Sequence, residues 1–188
     1  MNITPEEAKQ ALSDIENVTK NTRRAFAHSG WPHAFIIWGF VWFFGFMASQ
    51  FIRTTLLGWI WIILDAIGVV AMIIVGRRMG RRVRTDYGKK LNYFWGALML
   101  YAVLWIWIAW PMPPDNMALL ISTIALFGYI VMGIWLNSSI VWLGLGLTVL
   151  SIIGYLLVPD YFALWMSVLV GGLLIGSGFF MLRLWRQP

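Results

Sequence analysis

The stretch LLGWIWIILDAIGVVAMIIVGRR, residues 56–78, decides the fold of this chain. It carries a single charged residue, Asp65, before the two arginines that close it. A run of about 20 apolar residues, at about 1.5 Å of helical rise per residue, matches the hydrocarbon core of a bilayer, which is about 30 Å thick. The stretch therefore predicts a helix that crosses a membrane.

The rest of the chain repeats this pattern. Hydrophobic residues make up 60% of the 188 residues and charged residues only 12%, whereas a soluble domain has about 45–50% and about 25%. The apolar residues are gathered in blocks of about 20, long enough to cross a bilayer. We predict an all-α integral membrane protein with six transmembrane helices, over residues 34–52, 57–76, 92–110, 117–136, 140–158 and 161–182.

The connections predict how the helices pair. Only the connection between spans 2 and 3 is long, and short connections make neighbouring helices antiparallel and adjacent. We therefore expect three helical hairpins within residues 31–188.

In span 6 the run GGLLIGSG holds Gly172 and Gly176, a spacing that lets helix backbones approach closely. We expect this pair to pack within the bundle, and the alternative is a homo-oligomer through span 6.

Residues 1–30 form the only extended polar stretch and are expected to be a separate cytoplasmic amphipathic helix. Thr4 can cap it, with Pro5 in the first helical position and Glu7 closing a capping box. Apolar or small residues then recur at alternating spacings of three and four, as Ala8, Ala11, Ile15, Val18, Thr22 and Ala25. The helix is expected to lie on the membrane or on the bundle, and the alternative is self-association or partner binding.

The basic residues predict the orientation. All but one of the 14 Lys and Arg residues fall on one side of a six-span arrangement, and Arg53 falls on the other. The positive-inside rule places that first side in the cytoplasm. We therefore expect a multi-pass protein of the plasma membrane, the inner membrane in a bacterium, with both termini cytoplasmic. The net charge of +6 is explained by this orientation and does not indicate nucleic-acid binding.

The basic loop between spans 2 and 3 suggests a lipid site. Polybasic segments beside a membrane attract anionic lipid, at about 1 kcal/mol per basic residue. We predict that anionic headgroups bind the arginines of this loop, and the alternative is that the charges only set the orientation. These residues are Arg77, Arg78, Arg81, Arg82 and Arg84.

The beginning of the chain resembles a group of small membrane proteins. The sequence IIWGFVWFFGF, residues 36–46, follows the charged helix predicted over residues 4–25. In this arrangement the chain resembles small uncharacterised bacterial multi-pass membrane proteins that carry a charged helix before a first span containing Trp-Gly. The resemblance covers about the first 50 residues and implies no activity.

The residue types argue against catalysis and against a cofactor. The chain has no cysteine, so thiolate nucleophiles, disulfides and cysteine-bound metals are excluded. His28 and His33 are five residues apart with no acidic residue at ligand spacing, and no predicted span holds a histidine deep enough for haem. A glycine-rich phosphate loop with its lysine is also missing. We expect a protein that is not an enzyme.

Asp65 is the best candidate for a functional residue, because it is the only ionisable residue well inside a span. Small residues on its stripe, among them Gly58, Gly68 and Gly76, predict that it points into the bundle. A carboxyl group there is expected to be neutral or hydrogen-bonded. Its predicted partners are the hydroxyl groups of Tyr101, Thr148 and Ser151.

Two functions follow from this site. The first is a small transporter or channel-like protein, proton-linked through Asp65. The second is a non-transporting membrane module that binds a lipid or a partner protein. A continuous polar path through the bundle would favour the first function, and a dry bundle would favour the second.

Overall fold

The computed structural model describes residues 31–80, 86–136 and 138–184, together with Thr4, Glu6, Gln10 and Ser13. In these parts the chain is helical throughout its length apart from short connections. The predicted amphipathic helix lies outside the described residues except at those four positions.

Five long helices follow one another and a sixth span completes the bundle. The helices are α1 (Trp31–Phe51), α2 (Leu56–Gly80), α3 (Asp86–Ala109), α4 (Pro114–Leu136) and α5 (Ser138–Leu157). The sixth span, Pro159–Arg183, is also long and apolar enough to cross a membrane. The described residues thus contain six such helices, which confirms the predicted six-span, all-helical fold.

The sixth span is not a uniform α-helix. A 3₁₀ turn (Pro159–Tyr161) and one α-helical turn (Phe162–Trp165) precede a π-helical segment (Met166–Gly171), and an α-helix (Gly172–Leu184) ends it. Four side chains that are at most 1% exposed follow every fourth residue along it, Phe162, Met166, Val170 and Leu174. A regular α-helix of 3.6 residues per turn would rotate this row away from the core. The wider π-helical turns keep the row facing inward.

The sixth span packs most closely on α1. A side chain at Gly39 would begin 2.8 Å from the backbone nitrogen of Ile175, and one at Gly171 would begin 2.9 Å from that of Phe43. Such distances leave no space for a Cβ atom, so the two backbones are in direct contact. The hydroxyl group of the buried Ser167 also donates a hydrogen bond of 2.6 Å to the carbonyl oxygen of Phe43.

Helices α4 and α5 form the second closely packed pair. A Cβ atom at Gly144 would lie 2.8 Å from the Ile130 side chain, and one at Gly133 would lie 2.5 Å from the backbone nitrogen of Val141. Contacts also join α1 to α2, α3 to α4 and α5 to the sixth span, but the most extensive contacts join α4 to α5 and α1 to the sixth span. The predicted division into three separate hairpins is therefore not confirmed.

The prediction that Gly172 and Gly176 pack within the bundle is wrong, because other glycines of the sixth span make that contact. A Cβ atom at either position would meet nothing within 4 Å, so both glycines face away from the bundle. The close contacts are made instead by Gly171 and by Gly178, whose Cβ would lie 2.7 Å from the carbonyl oxygen of Pro32. The GxxxG spacing is present, but it does not lie on the packed face.

Candidate functional site

Helix α2 is held against the bundle along one side. The indole ring of Trp61 lies where a side chain at Gly45 of α1 would be, 2.5 Å from the position of its Cβ. The indole nitrogen of Trp61 donates a hydrogen bond of 3.1 Å to Ser49 Oγ. Two turns later, Gly68 is buried against Val41, which would lie 3.0 Å from a Cβ there. These contacts fix the rotation of α2 on α1.

This rotation places Asp65 on the outside. Trp61 and Gly68 define the face that touches α1, and Asp65 lies to one side of that face, where its side chain is exposed. Among the described residues, Asp65 has no hydrogen-bond or ion-pair partner. The predicted inward orientation of Asp65 is therefore wrong. Of the three glycines on its stripe, only Gly68 contacts α1.

The other glycines of that stripe are open. Gly58 and Gly76 have nothing within 4 Å of a Cβ position. At 100° per residue, Gly58, Asp65, Val69 and Gly76 lie within about 20° of one line along the helix. We call these four residues the Asp65 face. Only 6% of the residues in the apolar window of α2 are buried, compared with 39% in α1, so the Asp65 face belongs to an almost uncovered helix.

The predicted hydroxyl partners lie elsewhere in the bundle. Tyr101 on α3 is 64% exposed, while Thr148 and Ser151 are on α5. The Thr148 hydroxyl donates to the carbonyl oxygen of Gly144 and that of Ser151 to Leu147, each at 2.8 Å. Both α5 hydroxyls are thus satisfied within their own helix. No hydrogen bond between described residues joins Asp65 to any of the three.

The packing explains this separation. Helix α2 packs chiefly on α1, α3 packs on α4, and α5 packs on α4 and the sixth span. The sequence shows at what depth each residue lies in the bilayer but does not show which helix stands beside which. Asp65 and Tyr101 are at similar depths in their spans, yet their helices have different neighbours.

The predicted headgroup residues are only partly described. Arg77 and Arg78 lie in the last turn of α2, are exposed, and have no ion-pair partner among the described residues. Arg81, Arg82 and Arg84 lie outside the described residues.

The core of the described bundle is apolar. Its buried side chains are almost all apolar, and the buried polar residues are three serines, Ser122, Ser151 and Ser167. The rings of Phe35 of α1 and Tyr129 of α4 stack in this core, with centroids 4.9 Å apart. No group of three or more potential metal ligands occurs among the described residues. The core therefore offers no polar route toward Asp65 along the spans that the structure describes.

Sequence reasoning missed a groove on the outside of the bundle. It lies between α3 and α4 and has a volume of about 480 Å³. Its lining is apolar apart from the hydroxyl groups of Tyr101 and Thr123, and consists of Phe94, Ala97, Leu98, Tyr101, Trp105, Thr123, Ile124 and Phe127. The α3 residues of this set share one helical stripe, which the sequence contains, but the facing residues of α4 become visible only with the helix pairing.

Comparisons with known proteins add no relationship: no family model, no curated protein and no solved structure matches this chain.

Proposed function

We propose that this protein is a non-transporting, non-catalytic membrane module that binds a partner transmembrane helix at the Asp65 face of α2. The partner helix is α2 of a second copy of this chain. The observation that carries the proposal is the position of Asp65, exposed within a membrane span and without a partner among the described residues.

The bilayer makes this position costly for an isolated copy. Lipid chains neither donate nor accept hydrogen bonds, so polar groups in the hydrocarbon region need partners from protein. An Asp at the centre of a span costs about 2.5–3.5 kcal/mol on insertion scales. A second protein surface over Asp65 would lower that cost by supplying hydrogen bonds and by removing the carboxyl group from lipid.

A second copy is well suited to this role. Two copies with the same membrane orientation carry identical residues at identical depth, and a two-fold axis along the membrane normal brings equivalent faces together. Two neutral Asp65 carboxyl groups can each donate and accept a hydrogen bond. The open Gly58 and Gly76 allow the two α2 backbones to approach at both ends of the contact.

The apolar core favours this function over proton-linked transport. A transporter that uses Asp65 needs water to reach the carboxyl group alternately from two sides. In the described spans the core is filled with apolar side chains, and Asp65 lies outside it. A carboxyl group on the outer face of a helix is better placed to bind a neighbour than to serve a path through the bundle.

The proposal includes an orientation. We infer a multi-pass protein of the plasma membrane with both termini and the basic loop on the cytoplasmic side. The support is the distribution of Lys and Arg, of which Arg53 alone falls at the opposite end of the spans.

Cysteine cross-linking tests the contact directly, because the chain has no cysteine of its own. Val69→Cys lies on the Asp65 face and is expected to form a disulfide-linked dimer in native membranes. Val149→Cys on α5 is the matched control, since the two valines are 47% and 55% exposed. Cross-linking at both positions alike would show random encounters and would overturn the proposal.

Two substitutions at Asp65 then test the chemistry in the Val69→Cys background. Asp65→Asn keeps a side chain that donates and accepts, so the dimer should persist. Asp65→Leu removes two interhelical hydrogen bonds of about 0.6–2 kcal/mol each, which predicts a dimer weakened by roughly tenfold to several hundredfold. Raising the pH until both carboxyl groups ionise should separate the wild-type dimer and spare the Asp65→Asn dimer. Equal dimerisation of the Asp65→Leu protein would contradict the role of Asp65.

A further inference from the structure

We propose that the groove between α3 and α4 binds one acyl chain of an anionic phospholipid, whose headgroup is held by Lys90. This site is separate from the Asp65 face, which belongs to α2. The proposal of a lipid site therefore does not depend on the dimer proposed above.

The groove has the chemistry of an acyl-chain site. Aromatic and aliphatic side chains form most of its lining, and Phe94 and Trp105 mark its two ends on α3. The Thr123 hydroxyl is already bonded to the carbonyl oxygens of Leu119 and Leu120, at 2.9 and 3.0 Å, so it presents its methyl group rather than an unpaired donor. A flexible hydrocarbon chain can cover this aromatic and aliphatic lining, in which the Tyr101 hydroxyl group remains as a polar contact.

The length of the groove matches one leaflet. Phe94 and Trp105 are 11 positions apart in α3, which corresponds to about 16 Å along the helix axis. One leaflet contributes about half of a hydrocarbon core that is about 30 Å thick. The groove is therefore about as long as one leaflet is thick. Because it is centred on the span Lys90–Ala109, a chain that enters from the Lys90 end would reach past the bilayer midplane.

Charge identifies the headgroup. Lys90 is exposed and lies one helical turn before Phe94, on the stripe that continues through Leu98, Tyr101 and Trp105. A lipid whose chain lies in the groove would bring its phosphate to the level of this ammonium group. The loop that precedes Lys90 is rich in arginine, so the surrounding potential favours a headgroup with a net negative charge over a zwitterionic one.

Native mass spectrometry with two lipids of identical acyl chains tests the site. Phosphatidylglycerol should be retained more strongly than phosphatidylcholine. Lys90→Gln should reduce this preference by about fivefold, the effect of one basic residue near a charged headgroup. Arg183→Gln, at the same end of the bundle and also exposed, is the control and should leave the preference unchanged. Equal retention of the two lipids by the wild-type protein would overturn the proposal.

A bulky side chain in the groove tests whether the acyl chain binds there. Ala97 is an exposed lining residue, so Ala97→Trp should occupy the groove without disturbing the core and should reduce retention of both lipids. Val149→Trp places the same side chain on a lipid-facing surface of α5 outside the groove and should not reduce retention of either lipid. A phosphatidylglycerol with a photoreactive group at the chain end should label peptides from α3 or α4. Equal behaviour of the two tryptophan variants, or labelling spread over all spans, would contradict an acyl-chain site.

Discussion

Two adjacent glycines in the sixth span, Gly171 and Gly172, have opposite surroundings. A Cβ atom at Gly171 would lie 2.9 and 3.0 Å from the backbone nitrogen and Cα of Phe43, whereas one at Gly172 would meet nothing within 4 Å. Backbone atoms cannot move aside as a flexible side chain can. The cost of a single methyl group at these two positions is therefore a direct measure of how closely α1 and the sixth span are packed.

Gly171→Ala is expected to lower the free energy of unfolding by about 1–3 kcal/mol, the usual cost of overpacking. Gly172→Ala is the matched control and is expected to be neutral or to stabilise by up to about 1 kcal/mol, because alanine is the better helix former. Thermal or detergent-induced unfolding of the purified variants measures both. Equal destabilisation by the two substitutions would show that the close contact at Gly171 does not exist.

The sequence identified Asp65 as the ionisable residue well inside a span, but the predicted orientation placed it on the wrong side of α2. The hydropathy of a membrane helix carries little information about rotation, because lipid and a protein core are similarly apolar. Trp61 and Gly68 decide the rotation by their fit to Gly45 and Val41, and this fit depends on shapes that become known only when the neighbour is known.

Helix α1 and the sixth span are joined at the ends as well as along their length. The side-chain amide of Gln50 donates a hydrogen bond of 3.0 Å to the carbonyl oxygen of Asp160 and accepts one of 3.2 Å from the backbone nitrogen of Leu164. One side chain at the end of α1 thus satisfies two backbone groups where the sixth span begins. The first helical turn of that span has few other means of satisfying its backbone.

Gln50→Ala is expected to loosen the beginning of the sixth span. Each of the two lost hydrogen bonds is worth about 1 kcal/mol, so local opening should become roughly thirtyfold more frequent. Hydrogen–deuterium exchange of the backbone amides over residues 159–165 is the measurement. Thr148→Ala removes a hydroxyl that bonds within its own helix and should leave exchange there unchanged. Unaltered exchange in the Gln50→Ala protein would show that the two bonds do not hold this turn.

The helices themselves were predictable, and their partners were not. All six spans lie where the apolar blocks predict them, because span length is set by bilayer thickness and is written directly in the sequence. The close pairing of α1 with the sixth span is a contact between residues more than 100 positions apart, and short connections carry no information about it. The π-helical segment that aligns the packed face could not be predicted either, because the prediction assumed regular α-helical spacing.

The orientation of the whole molecule in the membrane can be tested with single cysteines. Thr55 lies in the connection between α1 and α2, and Ser138 begins α5 at the opposite end of the bundle; both are exposed. We expect Ser138→Cys to be protected in intact cells and Thr55→Cys to react with an impermeant maleimide, since we propose that the side rich in Lys and Arg is cytoplasmic. Inverted vesicles should give the opposite result. Labelling of both positions from the same side would contradict the six-span topology.

The partnership of α1 with the sixth span also has a consequence for how the molecule is made. During synthesis α1 enters the bilayer well before the sixth span has been translated, because four other spans separate them in the sequence. Until then, the narrow surface around Gly39 and the carbonyl oxygen of Phe43 must face lipid or a temporary neighbour. The sixth span therefore completes the packing of α1, and this contact forms only after the sixth span has been translated.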